Sequence, residues 1–350
     1  MARTKGYRSY RGRGGGQKVL VVLLLIVLLA AVGFLAAQRY IVYEDDGGMR
    51  LDLPWIEKEE IAETPKETPD DSLPPGELEI IIEQPPAPED TQRRMVEVDE
   101  SVLRGAADAT LDALREQNAN GVAVRVKTSR GELLYNSSLA AAQEAGAVVG
   151  SSIARGALKD MIASDFYTVA RIAALHESLF SFANMADAAV IQLQHPGYIW
   201  YDPDSTFYLA PEKPLARQYL ADIARECAAM GFDELLFDEF TYPPVGRISN
   251  IDVSARTMTQ AEALALLAKE LRAAVEDYEV KLSVELDAET VLAGGNERTG
   301  QVVEELAELF DYVYVPCTAE QTESLASVLG EKFVPIVTAA QEESDYLLVK

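Results

Sequence analysis

Cysteine is nearly missing: Cys227 and Cys317 are the only two in 350 residues. Two cannot make the disulfide framework of a small secreted fold. Cys227 falls within a helical pattern and Cys317 just after a strand pattern, which fits two buried free thiols better than one bridge. Histidine is equally scarce, with His176 and His195 alone. Their spacing matches no metal-ligand motif, so neither a metal nor a cofactor is expected. Gly-x-Ser-x-Gly is absent, and no Ser-His-Asp arrangement stands out. No glycine-rich phosphate loop follows any strand pattern, and there is no internal repeat. Basic charge is short as well. Against 57 acidic residues stand 31 lysines and arginines, a formal net charge of −26. That balance argues against a nucleic-acid partner, because a phosphate backbone would be repelled.

Six of the basic residues gather at the N-terminus. Arg3, Lys5, Arg8, Arg11, Arg13 and Lys18 occur there without one acidic neighbour. An unbroken apolar run, Val19–Ala37, follows. At 1.5 Å per residue such a run just spans a hydrocarbon core of roughly 30 Å. The basic flank belongs on the cytoplasmic side. Residues 1–18 are therefore expected as a cytoplasmic tail and 19–38 as a transmembrane signal anchor. The rest lies outside, a single-pass cell-membrane location. The rival reading is a cleavable signal peptide with Ala36-Ala37-Gln38 as a weak cleavage site.

Residues 39–94 shift in composition. Half of the chain's 16 prolines lie there, with many acidic residues and few basic ones. Glu57–Asp90 reads as a disordered, self-repelling acidic tether. The part from 40 to 55 differs. Tyr40-Ile41-Val42-Tyr43 and Met49-Arg50-Leu51-Asp52-Leu53-Pro54-Trp55 flank an Asp45-Asp46-Gly47-Gly48 turn signal, the pattern of a hairpin.

From about Met95 to Lys350 strand-like and helix-like segments alternate. Strands are expected at 95–98, 121–126, 166–173, 235–237, 280–286, 312–315, 333–337 and 346–349. Helices are expected at 103–117, 152–162, 214–230, 259–278, 300–310 and 322–329, with Pro214 suited to a first helical turn. Alternation of this kind means βα units and a parallel sheet. About eight strands close a (β/α)8 TIM-like barrel. An open doubly wound sheet is the alternative, and the missing phosphate loop counts against it. The sequence stops at Lys350, with no room for an eighth helix after that strand.

The barrel is organised around Gly231-Phe232-Asp233-Glu234-Leu235-Leu236-Phe237-Asp238-Glu239-Phe240-Thr241-Tyr242-Pro243-Pro244. Gly231 ends a helix. Leu235–Phe237 is an apolar run of the kind a fully buried strand needs. It ends in Asp238 and Glu239, and two prolines forbid its continuation. A buried strand that delivers a carboxylate at its C-terminal end is how such barrels build active sites. The rival reading has Asp238 capping a turn or a following helix. Parity sends Glu239 away from the barrel axis if Asp238 points toward it. The longest irregular stretch, Ser178–Pro211, interleaves Trp200, Tyr201 and Tyr208 with Gln192, His195 and Asp202. Rings that stack on C–H faces, set among hydrogen-bonding groups, suit a sugar. A lid whose aromatics only pack on the barrel is the other reading.

These residues resemble a TIM-barrel family of glycoside-hydrolase-like proteins formerly listed as a domain of unknown function, DUF4015, distantly similar to the α-amylase clan. The family's central motif, G-F-D-E-[IV]-x-F-D-Y-[IV]-R-F-P, stands here as Gly231 to Pro243. Shorter matches occur in order at Asn120-Gly121-Val122, Val126-Lys127, Gly131-Glu132, Ala170-Arg171-Ile172, Gly300-Gln301 and Asp311-Tyr312-Val313. The resemblance covers about Val96 to Thr338. It departs from the family at Thr241, where the family has Arg. It departs again at Ser283-Val284-Glu285-Leu286-Asp287-Ala288 and at Val315-Pro316-Cys317-Thr318.

The resemblance implies glycoside hydrolysis by two carboxylates, with Asp238 as nucleophile and Glu285 as acid/base. The two would end neighbouring strands. Strands lie about 4.8 Å apart, so the roughly 5–5.5 Å carboxyl separation of retaining enzymes is within reach. Asp287 competes for the acid role. Arg171, His176, Trp200, Tyr201, Asp202, Tyr242 and Asp287 are the candidate substrate-binding residues. Arg171 has a second reading as a structural ion pair. The partner implied is a polysaccharide or cell-wall glycan. A non-catalytic carbohydrate-binding or envelope-scaffolding barrel is the alternative, favoured by the altered Pro316-Cys317 segment.

Overall fold

The structure is a computed structural model, and it describes residues 41–43, 49–51, 92–105, 107–341 and 345–349. The basic tail, the apolar run Val19–Ala37 and the tether Glu57–Asp90 lie outside the described residues. No helix among the described residues is long and apolar enough to cross a membrane. The chain divides into two compact units, 1–83 and 84–350. In the first, Ile41–Tyr43 pairs antiparallel with Met49–Leu51.

The second unit is built on eight parallel strands closed into a barrel. They are β1 (Arg94–Val98), β2 (Gly121–Lys127), β3 (Tyr167–Ala173) and β4 (Glu234–Asp238). They continue as β5 (Lys281–Glu285), β6 (Tyr312–Pro316), β7 (Phe333–Val337) and β8 (Tyr346–Leu348). Each pairs with its successor, and β8 pairs with β1 through Leu347 and Met95, so no strand edge is left open. Helices follow the first six strands: α1 (Asp108–Glu116), α2 (Ser152–Ile162), α3 (Pro214–Met230), α4 (Gln260–Ala274), α5 (Val303–Leu309) and α6 (Ala319–Leu329).

The helix ends follow from local chemistry. Pro214 opens α3, and Gly231 closes it at φ 99°, a left-handed cap where a side chain would be strained. Thr259 and Glu262 form a reciprocal capping box on α4.

Alternation along the strands splits the core in two. One cluster packs Met95, Ala123, Val169, Leu236, Tyr314, Val334, Ile336 and Leu347, all on strands, and is the barrel interior. The larger cluster sets the opposite strand faces, such as Leu235 and Phe237, against the helices. Burying a side chain of that size contributes about 1.5–3 kcal/mol.

The interior is apolar only in its middle. At the N-terminal end Arg93 donates from Nη2 and Nε to Asp345 Oδ2 (2.6 and 2.8 Å) and from Nη1 to Glu234 Oε2 (3.3 Å). Tyr167 donates to the same Glu234 oxygen at 2.8 Å. The Arg93 guanidinium lies over the Tyr312 ring, 4.0 Å from its centroid. This plug closes the barrel floor.

Candidate active site

At the other end of the barrel the same two-residue step brings five charged side chains to the axis. Glu97, Arg125, Arg171, Asp238 and Glu285 each stand two positions beyond an interior residue of β1 to β5: Met95, Ala123, Val169, Leu236 and Ser283. β4 and β5 are parallel neighbours, paired from Glu234–Lys281 to Phe237–Val284. Asp238 and Glu285 therefore end adjacent strands. The register of β2 on β3 slips between Arg125 and Lys127, a bulge of the sort that re-aims a side chain at a barrel rim.

Arg171 is the hub. Its Nη1 donates to Glu97 Oε2 at 2.5 Å, and its Nη2 donates to Glu285 Oε2 at 2.5 Å and to Asp238 Oδ2 at 3.0 Å. One nitrogen at 2.5 and 3.0 Å from two oxygens leaves at most about 5.5 Å between them. Arg125 grips Asp238 with both terminal nitrogens, at 3.3 Å to Oδ1 and 2.7 Å to Oδ2. Charge-assisted contacts like these hold a carboxylate in a fixed orientation.

Two arginines face three carboxylates, and the surplus acid is relieved at Glu285. Its pKa is pushed up to about 7, chiefly by burial and further by Asp238 and Glu97, against the pull of Arg171 and Arg125. Four of the five, Arg125, Arg171, Asp238 and Glu285, line a cavity of about 610 Å³. Its wall adds Glu100, Thr128, Ser129, Thr241, Asn296, Thr299 and Gln301 as polar groups, and Phe240, Pro244, Leu286 and Pro316 as apolar ones. Polar groups outnumber apolar ones, as a hydroxylated ligand would require.

Glu239 departs from the parity expectation. It borders this cavity, because the strand ends at Asp238 and Glu239 turns left-handed at φ 52°, which breaks the alternation. A non-glycine residue in that conformation is uncommon and costs energy.

Of the substrate-binding candidates, Arg171 and Asp287 line the cavity with Asp238 and Glu285. Asp287 is occupied as the N-cap of the short helix Ala288–Ala293, accepting from Thr290 N at 2.8 Å and from Thr290 Oγ1 at 2.6 Å. The remaining candidates stand elsewhere. His176 is stacked on Tyr208 with ring centroids 4.5 Å apart, and its Nε2 is 2.6 Å from Thr206 Oγ1. Asp202 accepts from Thr206 N and Thr206 Oγ1 and shapes its own turn. Trp200 is only 1% exposed and packs with Val190, Tyr208, Ala210 and Ile251 in a small core shared by the β3–α3 and β4–α4 loops. Tyr201, next to it, is 55% exposed. Trp200, Tyr201 and Asp202 border a second cavity, of about 400 Å³. Tyr242 needs correction: it is buried, its hydroxyl donates to Glu212 Oε2 at 2.5 Å, and Arg256 covers its ring. It follows the left-handed turn at Glu239, which redirects the chain.

Sequence reasoning missed Glu97 and Arg125. Both sit in short strands and match no motif, but the two-residue step from the interior positions of β1 and β2 was there to be counted. It also missed the Lys127–Glu177 pair near the C-terminal ends of β2 and β3, both fully buried. Lys127 Nζ donates to Ala173 O at 2.8 Å and lies 3.7 Å from Glu177 Oε2. Burial pushes the lysine down and the glutamate up, toward a neutral pair. Among the described residues no group of three or more His, Cys, Asp or Glu is arranged to hold a metal ion.

The family described as "putative glycosyl hydrolase domain", DUF4015, matches residues 98–316. No curated protein sequence matches the chain. Among solved structures, a hypothetical protein from Ruminiclostridium thermocellum is 22% identical, with TM-score 0.46 over 54% of this chain and 96% of that one. The glycoside hydrolase domain of PgaB (BpsB) from Bordetella bronchiseptica is 16% identical, with TM-score 0.47 over 70% and 84%. A GH20 exo-β-N-acetylglucosaminidase from Vibrio harveyi is 11% identical, with TM-score 0.46 over 70% and 41%.

Proposed function

Since the chain belongs to the DUF4015 family, described as a "putative glycosyl hydrolase domain", we propose that it hydrolyses glycosidic bonds of a polysaccharide or cell-wall glycan with retention. The observation that carries the reading is the sharing of Arg171 Nη2 by Asp238 and Glu285, at 3.0 and 2.5 Å. Their oxygens are therefore at most about 5.5 Å apart, close enough for the roughly 5–5.5 Å carboxyl spacing of retaining enzymes. Asp238, ionised and held by Arg125, attacks the anomeric carbon. Glu285, protonated below about pH 7, gives its proton to the glycosidic oxygen as that bond breaks. The ester so formed on Asp238 is then hydrolysed by a water whose proton returns to Glu285. Arg171 and Asp287 are the substrate-contacting groups of this reading.

A screen of the full-length protein against polysaccharides and muropeptides, reading bound ligand and new reducing ends together, tests it. Turnover by wild type and its loss in Asp238→Asn support it. Binding without any new reducing end shifts the assignment to a non-catalytic carbohydrate-binding or scaffolding barrel. One observation favours that second reading. Both Asp238 oxygens are already engaged by Arg125 and Arg171, and substrate must loosen that grip.

The same proposal sets the barrel outside the cell membrane, tethered by Val19–Ala37 with residues 1–18 in the cytoplasm. Its support is the charge asymmetry about the apolar run. Protease added to intact cells is expected to cut the tether at 57–90 and release the barrel. Cleavage only after lysis reverses the orientation.

A further inference from the structure

The 400 Å³ cavity is separate in its lining from the one that holds the carboxylates. It is formed by the loops that follow β3 and β4, and its walls are built before any ligand arrives. Leu193 N donates to Asn250 O and Asp252 N to Ile191 O, both at 2.8 Å, so the two loops are stitched together. Trp200 Nε1 donates to Arg247 O at 3.1 Å. Gly246 lies against the indole ring so closely that an added Cβ would stand 3.2 Å from it.

On this frame four exposed side chains border the cavity with no side-chain hydrogen bond or ion pair to any described residue: Gln194, His195, Tyr201 and Arg247. They are one aromatic face, two or more nitrogen donors and one carboxamide. That is the equipment for a pyranose, whose C–H face stacks on a ring while its hydroxyls seek donors and acceptors. One imidazole lies near a wall residue of each cavity. His176 Nδ1 lies 3.9 Å from Glu239 Oε2, on the first cavity, and Nε2 lies 3.9 Å from Asp202 Oδ2, on the second.

We infer that the second cavity is a distal glycan subsite, which holds a neutral sugar unit of the same polymer away from the bond that is cleaved. The inference rests on the hydrolase reading for its direction, and it adds to that reading a preference for long chains over short ones. Engagement at both cavities ties the second binding event to the first, so affinity rises with chain length once a ligand is long enough to reach both.

The test uses the full-length Asp238→Asn protein in a zwitterionic detergent, titrated with cello-, malto- and chito-oligosaccharides from disaccharide to octasaccharide. An octasaccharide is expected to bind at least about tenfold tighter than a disaccharide of its series. Tyr201→Ala or Arg247→Gln, added to Asp238→Asn, is expected to erase most of that gain while leaving disaccharide affinity and melting temperature unchanged. Both positions are exposed, so a folding defect is separable by the melting temperature. A length dependence that survives both substitutions overturns the subsite and leaves the hydrolase reading in place. Length-dependent binding that needs Tyr201 and Arg247, with no hydrolysis by the wild-type chain, supports the subsite and removes the hydrolase reading. Failure of every oligosaccharide to bind overturns both.

Discussion

The two ends of the barrel carry the same device and put it to different use. At the floor Arg93 collects Asp345 and Glu234; at the mouth Arg171 collects Glu97, Asp238 and Glu285. In each, one glutamate has its pKa raised chiefly by burial: Glu234 below, Glu285 above. The difference is access. Glu234 is 0% exposed and roofed by tyrosines, whereas the Glu285 side chain is 22% exposed on a cavity of 610 Å³. A displaced pKa is thus no mark of catalysis by itself. Glu234 is sealed among the groups of the floor, whereas the proton on Glu285 faces the space a ligand would fill.

The largest effect that can break this comparison is on turnover. Asp238→Asn is expected to lower kcat by at least about 10³-fold, as loss of a nucleophile does. Glu234→Gln, at the floor, is expected to leave kcat within a factor of two or so, since it touches no group at the mouth. Reducing-end release by both variants decides it. A comparable kcat loss in Glu234→Gln would abolish the division between a structural and a functional end.

Stability is expected to divide the other way. Arg93→Ala removes the partner of a sealed glutamate and of Asp345, and is expected to cost about 3–5 kcal/mol. Urea unfolding measures it. A loss under 1 kcal/mol would mean that the floor is held by its aromatic rings and not by its ion pairs.

How much of this was legible in the chain divides along the same lines. Period-two runs and helix caps were local, so α2, α3 and β7 stand at the residues the pattern indicated. Asp238 was legible because it ends an apolar run, and Glu285 through the family resemblance at the end of β5. Arg171 was legible on the neighbouring strand, but Arg125 was not, because only the curvature of the barrel brings β2 within reach of β4. The fate of the aromatics in 178–211 was unreadable for a similar reason. Trp200 and Tyr201 are adjacent in sequence, and only packing against Tyr208 and Gly246 makes one core and the other surface.

A smaller effect sharpens the contrast through pH. Folding holds Glu285 protonated up to about pH 7, well above the roughly 4.3 of an exposed glutamate. Its contribution to stability is therefore whole below about pH 4 and is lost as pH rises through about 7. Gln keeps the shape and discards the charge. Glu285→Gln is expected to match wild-type stability at acid pH and exceed it at pH 8 by on the order of 1–3 kcal/mol, while losing activity. Equal unfolding midpoints at both pH values would show that Glu285 is not strained in its ionised form.

The smallest expected effect separates the two pinning acids, Glu97 at the mouth and Asp345 at the floor. Each is partly exposed, 22% and 28%, and each anchors one side of its arginine. Glu97 also acts on Glu285 through space, since its charge helps to raise that pKa. In Glu97→Gln this push is gone, and Arg171, no longer balanced on Nη1, stabilises ionised Glu285 more strongly. Both changes lower the pKa of Glu285. The alkaline limb of the pH profile of kcat/KM is then expected to move below pH 7 by a fraction of a unit, with kcat at acid pH and melting temperature nearly unchanged. Asp345→Asn is expected to do the reverse, lowering melting temperature and leaving the pH profile where it was. A structural role alone would not move the limb, so a stationary limb in Glu97→Gln would reduce Glu97 to the same scaffolding part that Asp345 plays below. Conversely, a shifted limb in Asp345→Asn would show that charge at the floor reaches the mouth through the apolar middle of the barrel.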